Sequence, residues 1–310
     1  MPIFWRKQVL LAKIETTYGT DPTLTGALNA ILAKNVTISP MDGSDVSRDL
    51  VTPYFGNQPS IPAELHVTIN FDTELAGSGT PGTVPAWGVL LRACGCAEVI
   101  TASTSVTYTP ITDNIESAYL KFWVGGTLHA IKGVRGSVKL TANAQGIPMM
   151  SWSFMGLWVA PAEAAAAVPT LTAFKKPVMV NKTNTPTFNV NSVSLVMRNF
   201  SFDLNNQVEP RMLVGTESVL ITDHREQIEF TCESVPVTTL DPYGLANAQT
   251  TVPVSLVHGT TAGNIITLSA PTSEFKRPTG YQQNQGVAEW PLSMLALPNA
   301  GNDQFSLALT

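Results

Sequence analysis

Charge is scarce in this chain. Asp, Glu, Lys and Arg make up 13% of its 310 residues, about half the ~25% typical of soluble globular domains. The 18 basic and 23 acidic residues leave a formal net charge of −5, and no basic stripe forms. That excludes a protein that grips nucleic acid by neutralising its phosphates. Cysteine is scarcer still. Cys94, Cys96 and Cys232 are odd in number and two of them are nearly adjacent, which excludes a disulfide framework and points to reduced thiols in a cytosolic folding compartment. His66, His129, His224 and His258 stand at no metal-ligand spacing, with each other or with the cysteines. Long hydrophobic runs are also missing. No stretch approaches the ~20 apolar residues of a membrane span. Near the N-terminus Arg6-Lys7-Gln8 is followed by only four apolar residues, Val9 to Ala12, too few for the roughly 7–15 of a signal-peptide core. A chain that is neither exported nor membrane-borne is expected.

Hydrophobic residues nevertheless reach 44%, and the length suits two domains of ordinary size. Much of the solvent-facing area must therefore be neutral and polar. Such a surface fits an interface with another subunit, since interface cores are depleted in charge. It equally fits a viral or secreted β protein with Thr and Asn on exposed strands.

Most periodic segments alternate. Val36 and Ile38, then Leu65, Val67, Ile69 and Phe71, fall on one face, as do Phe200, Phe202 and Leu204 and then Ile228, Phe230 and Cys232. Alternation of this length marks strands buried on one side. Further strands are predicted at 105–110, 119–124, 134–141, 149–157, 252–257, 265–269 and 287–297. Gly125-Gly126 reads as a tight hairpin turn. The scheme also repeats: strand, long polar segment (40–64 and 205–224), strand, then a glycine step (Asn143-Ala144-Gln145-Gly146 and Asn284-Gln285-Gly286) before a Trp-containing apolar run. A repeat of this kind governs the whole fold assignment. One helix is predicted over 85–97, where Trp87, Leu90, Leu91 and Cys94 form an apolar stripe behind Pro85. The matching place at 240–249 is broken by Pro242 and Gly244 and is expected to hold a turn of helix or none. The Ala- and Pro-rich stretch around 160–187 reads as the join. The expected domains are therefore 1–165 and 188–310, with a linker at 166–187.

Catalytic signals are weak. Gly77-Ser-Gly-Thr-Pro-Gly-Thr83 lacks the lysine of a phosphate-binding loop and reads as a flexible loop. Asp223-His224-Arg225-Glu226 has no nucleophile motif beside it. The two long segments are more informative, because hairpin loops ordinarily run two to five residues. Both mix charges with apolar anchors at the same point of the repeat, which suits contacts between subunits. The candidate contact residues are Asp45, Arg48, Asp49, Tyr54 and Phe55 in the first, and Glu209, Arg211 and Glu217 in the second.

The opening, Lys13-x-Glu15-x-x-Tyr18-Gly19 followed by Val36-Thr37-Ile38, resembles that of tail tube proteins from long, non-contractile-tailed bacteriophages. The likeness is carried best by the first ~75 residues. It implies a mainly β chain of tandem β-sandwich or barrel units, with one flanking helix in the first unit, and a structural virion protein rather than an enzyme. It also implies rings stacked into a tube, with long loops reaching the neighbouring ring. Two fused units per chain would make a six-fold ring from three copies. Implied partners are other copies of the chain and the tail terminator, tape measure and tail-tip proteins, with double-stranded DNA passing through unbound; no cofactor and no membrane are implied. The resemblance places assembly in the bacterial host cytoplasm and the product in the virion tail. Alternatives are a tail-tip or head–tail joining ring of the same fold, or a tandem β-sandwich carbohydrate-binding or adhesion module.

Overall fold

The computed structural model describes residues 2–310. The first half runs β1 (Gln8–Ile14), α1 (Gly26–Asn29), β2 (Ala30–Ile31), β3 (Lys34–Ser47), β4 (Ser60–Glu74), α2 (Gly88–Ala93), β5 (Cys96–Thr101), β6 (Ser105–Pro110), β7 (Ala118–Val124), β8 (Thr127–Asn143), β9 (Met149–Leu157) and β10 (Ala162–Glu163). The second runs β11 (Thr187–Val190), β12 (Val193–Ser194), β13 (Met197–Asp203), β14 (Gln207–Leu213), β15 (Thr216–Asp223), β16 (Gln227–Glu233), α3 (Pro242–Asn247), β17 (Val252–His258), β18 (Ile266–Phe275), β19 (Gln282–Asn284), β20 (Val287–Ala296) and β21 (Ser306–Leu309). The chain is mainly β, as the alternation predicts.

One antiparallel sheet runs β3–β4–β9–β8–β13–β16–β20–β19 and crosses from the first half to the second at β8–β13. Packed against it are two others. The first is β2–β1–β7–β8–β10. The other, β12–β11–β17–β18–β21–β6–β5, crosses between the halves at β21–β6. Two long strands change sheets. β8 pairs with β7 near its start and with β9 later, with a register shift between Lys132 and Arg135. Gly133 sits in that shift at φ +61°, a conformation that glycine adopts without a Cβ penalty. β18 likewise leaves β17 for β20 at Ser273.

The order of partners recurs. β2–β1–β7–β8–β9–β4–β3 in the first half matches β12–β11–β17–β18–β20–β16–β13 in the second. The alternating apolar residues face inward from both halves and merge into one core, with Ile69, Phe71 and Trp152 in the same cluster as Phe200, Phe230 and Trp290. Aromatic pairs knit each part, Phe71 to Phe154 at 5.8 Å and Phe188 to Phe230 at 5.1 Å between ring centroids. Fully burying one such side chain contributes roughly 1.5–3 kcal/mol. The buried Trp152 indole N–H donates to Thr73 Oγ1 at 2.9 Å.

Several expectations change. The two long segments are not loops. β3 and β4 extend into a hairpin whose connection is only 48–59, and 205–224 folds as the β14–β15 hairpin. Beyond Ser39 both faces of β3 meet solvent, so no apolar alternation marks the strand. The helix is shorter than 85–97: α2 spans six residues, and its buried stripe of Leu90, Leu91 and Cys94 is as predicted. α3 is also six residues long, so a flanking helix is present in both halves. Asp241 accepts hydrogen bonds from the N–H groups of Tyr243 and Gly244, with Pro242 in the first turn. The apparent breaker is a helix start. The Gly77–Gly82 loop is packed rather than free: Gly79 N–H donates to Gly263 O at 3.0 Å, and a Cβ on Gly77 would lie 2.2 Å from that oxygen.

Just after β8 changes sheets, a Cβ on Gly136 would meet a Phe154 ring carbon and Ser153 O at 2.3 Å. Overpacking of this kind costs about 1–3 kcal/mol. Gly136→Ala is expected to lower Tm by several degrees in a thermal melt, whereas Gly56→Ala, with nothing within 4 Å, should leave it unchanged.

Candidate functional site: assembly surfaces

The opening motif builds a clasp between the halves. Lys13 Nζ donates to Pro22 O at 2.8 Å. The Glu15 carboxylate, 8% exposed, accepts from Gly133 N–H at 2.8 Å, Gly19 N–H at 2.9 Å and Ser117 Oγ at 2.6 Å. This fixes the turn that carries Tyr18, whose ring lies 5.5 Å from the Arg135 guanidinium. Val219 of β15, fully buried, donates its N–H to Tyr18 Oη at 2.7 Å, and its carbonyl accepts from Arg135 Nη1 at 2.7 Å. Arg135 also donates to the carbonyls of Ile115 and Glu116. Burial raises the Tyr18 pKa and lowers that of Arg135. Both backbone groups of one second-half residue are thus satisfied by first-half side chains, which docks the β14–β15 hairpin.

The β3–β4 hairpin has no such dock. Every residue from 41 to 57 is exposed, with Val51 and Phe55 as open as in an extended chain and Tyr54 at 81%. Asp45, Arg48, Asp49, Tyr54 and Phe55 all lie on this arm, while Glu209, Arg211 and Glu217 lie on exposed positions of the β14–β15 hairpin. The two predicted sets therefore occupy two separate hairpins. Exposed Val46, Leu50, Val51, Tyr54, Phe55 and Ile61 make the arm an apolar projection, a feature that marks interaction sites.

The sheet that crosses the halves presents a polar face away from the core. One cross-strand row reads Asp72, Ser151, Lys139, Asp203, Gln227, and the next reads Met149, Thr141, Ser201, Glu229, Ser293. Lys139 Nζ lies 3.9 Å from Asp203 and 3.6 Å from Glu229, so the one basic group in these rows is neutralised. Asp72 accepts from Asn35 and Ser151, each at 2.7 Å. Alternation alone does not reveal these rows as one surface; the Thr, Ser and Asn on its outer phase are their signal in the sequence.

The Asp223–Glu226 segment separates into two local pairs, Arg225 to Asp223 at 3.0 Å and His224 to Glu226 at 2.9 Å. The Glu226 carboxylate beside its ring raises the His224 pKa. Nearby Cys96 is buried and its thiol is pushed up to about 12 by desolvation, the opposite of an activated nucleophile. Among the described residues no three His, Cys, Asp or Glu gather as a metal site, and no helix is long and apolar enough to cross a membrane.

Replacing Tyr18 by Phe removes the acceptor for the buried Val219 N–H, a loss of roughly 1–3 kcal/mol. The expected outcome is faster amide hydrogen exchange at Val219 and its β15 neighbours, with β1 and β7 protected as before.

A comparison with curated proteins returns no match. The family model described as Phage tail tube protein matches residues 5–289, nearly the whole of both halves, the clasp and the exposed arm included; the chain belongs to the phage tail tube protein family.

Proposed function

We propose that the chain is the structural subunit of the tail tube of a long, non-contractile-tailed phage, polymerising as stacked rings of three copies with pseudo-six-fold symmetry. In this reading residues 1–165 and 188–310 are two fused tube units joined by 166–187, and the recurring order of strand partners supports their common plan. The observation that carries the proposal is the β8–β13 ladder, five residue pairs from Asn199↔Asn143 to Asp203↔Lys139. Through it two like units already share one sheet, as neighbouring units of a ring would. The exposed arm then reaches the adjacent ring through Arg48, Tyr54 and Phe55. The polar face lines the conduit for DNA ejection. A lining whose lysine is held by carboxylates offers phosphates no counter-charge, so DNA slides. The work is mechanical, with no turnover, and the tail terminator, tape measure and tail-tip proteins meet the ends of the tube. Assembly takes place in the host cytoplasm.

Cryo-electron microscopy of assembled particles should resolve three chains per layer; six chains per layer, or no tube, would overturn the proposal. The Tyr54→Ala/Phe55→Ala double variant and Arg48→Ala are each expected to weaken tube formation in negative stain while leaving Tm unchanged. Normal tubes in both would remove the arm's assigned role. Replacing Asp203 and Glu229 together by Lys should slow DNA ejection from otherwise normal virions in a fluorescence release assay, more so at low salt.

A further inference from the structure

The seam inside the chain specifies which edges close the ring. β13 is to the second half what β3 is to the first: each ends its half of the sheet, paired with β16 and β4 respectively. The β18–β19 span takes the place of β8, being the strand on the other side of β20 as β8 is of β9. The internal seam therefore joins a β8-type edge to a β3-type edge. One of each type remains at the two ends of the sheet: β3 pairs only with β4, and β19 only with β20, among the described residues. A sheet ending in unpaired backbone groups is a template for another strand, and here the chain itself contains the completed version of that junction.

Register follows by counting from two tryptophans at equivalent steps, Trp152 opposite Phe71 and Trp290 opposite Cys232. Three residues before Trp152 is Met149, opposite Thr141; three before Trp290 is Val287, opposite Asn284. Three before Cys232 is Glu229, opposite Ser201; three before Phe71 is Thr68, opposite Ser39. Within the chain Thr141 faces Ser201. We propose that Asn284 of one copy faces Ser39 of a second copy of this chain, with Gln282–Asn284 running antiparallel to Ser39–Met41 and continuing the polar-faced sheet across the boundary. Tyr281, 61% exposed, lies just outside this register and Met41, 54% exposed, lies within it opposite Gln282; both become covered when it forms. The inference rests on the ring reading, and it adds the edges, the direction and the register.

The test is disulfide trapping in the full chain. Ser39→Cys/Asn284→Cys is assembled, treated with a mild thiol oxidant and run on a denaturing gel; Thr141→Cys/Ser201→Cys is the control for the same junction within one chain. The native cysteines are all buried and do not compete. The expected result is covalent dimers and trimers from the first pair and an internal cross-link, seen as a mobility shift at monomer mass, from the control. Tubes that form while the first pair gives no linked species, or gives severalfold less than Ser39→Cys/Gln282→Cys, overturn the junction and leave the tube reading standing. Cross-linked chains without tubes in the micrographs support the junction and overturn the tube reading instead.

Discussion

The hydrogen-bonded ladder between β8 and β13 is the constraint on which the rest of the architecture depends. Because β8 meets β13 across one edge and β9 across the other, two half-sheets become one, and their apolar faces must share a core. The return crossing at β21–β6 closes the arrangement from the opposite layer. Each backbone bond contributes only about 0.5–1.5 kcal/mol net. The ladder matters because it fixes the relative position of two large apolar faces, whose burial is the dominant favourable contribution.

Much of this was legible in the residues. Strands with one wet and one dry face, such as β4, β9, β13 and β16, declare themselves by alternation. The parts missed were those where the physical cause leaves no periodic trace. The outer stretch of β3 is wet on both sides, so Pro40-Met41-Asp42-Gly43-Ser44 has nothing to alternate. β14 does carry a period of two in Val208, Pro210 and Met212, hidden by a proline that an edge strand tolerates. At α3 Pro242 and Gly244 read as breaks, whereas Asp241, a side-chain acceptor followed by a residue without an N–H, is how a short helix begins. The eight candidate contact residues fall on two separate hairpins. What the sequence could not convey is that one projection is docked by Tyr18 and Arg135 and the other is bare.

The clasp also gives the opening motif a physical meaning. Glu15 binds three donors from separate parts of the chain, and the ordering this imposes is passed to Tyr18 and from there to the Val219 backbone. A motif at the N-terminal end of the chain therefore acts some 200 residues away in sequence (the Val219–Tyr18 separation is 201). Low charge fits the proposed assembly, in which other copies would cover the exposed arm and the two ends of the sheet.

Carrying one junction inside the covalent chain also has a kinetic meaning. The β8–β13 ladder lies within one chain, whose strands meet at an effective concentration of order millimolar, so it forms on folding whatever the concentration of the chain. The proposed seam between copies is bimolecular and would rise steeply with concentration. The two can then be tuned separately. The internal one is reinforced by Lys139 between Asp203 and Glu229, whereas the outer edges are blunted by Pro40 and by a three-residue β19. In the proposed ring the chain folds with one junction already complete and leaves the next to the meeting of its own copies.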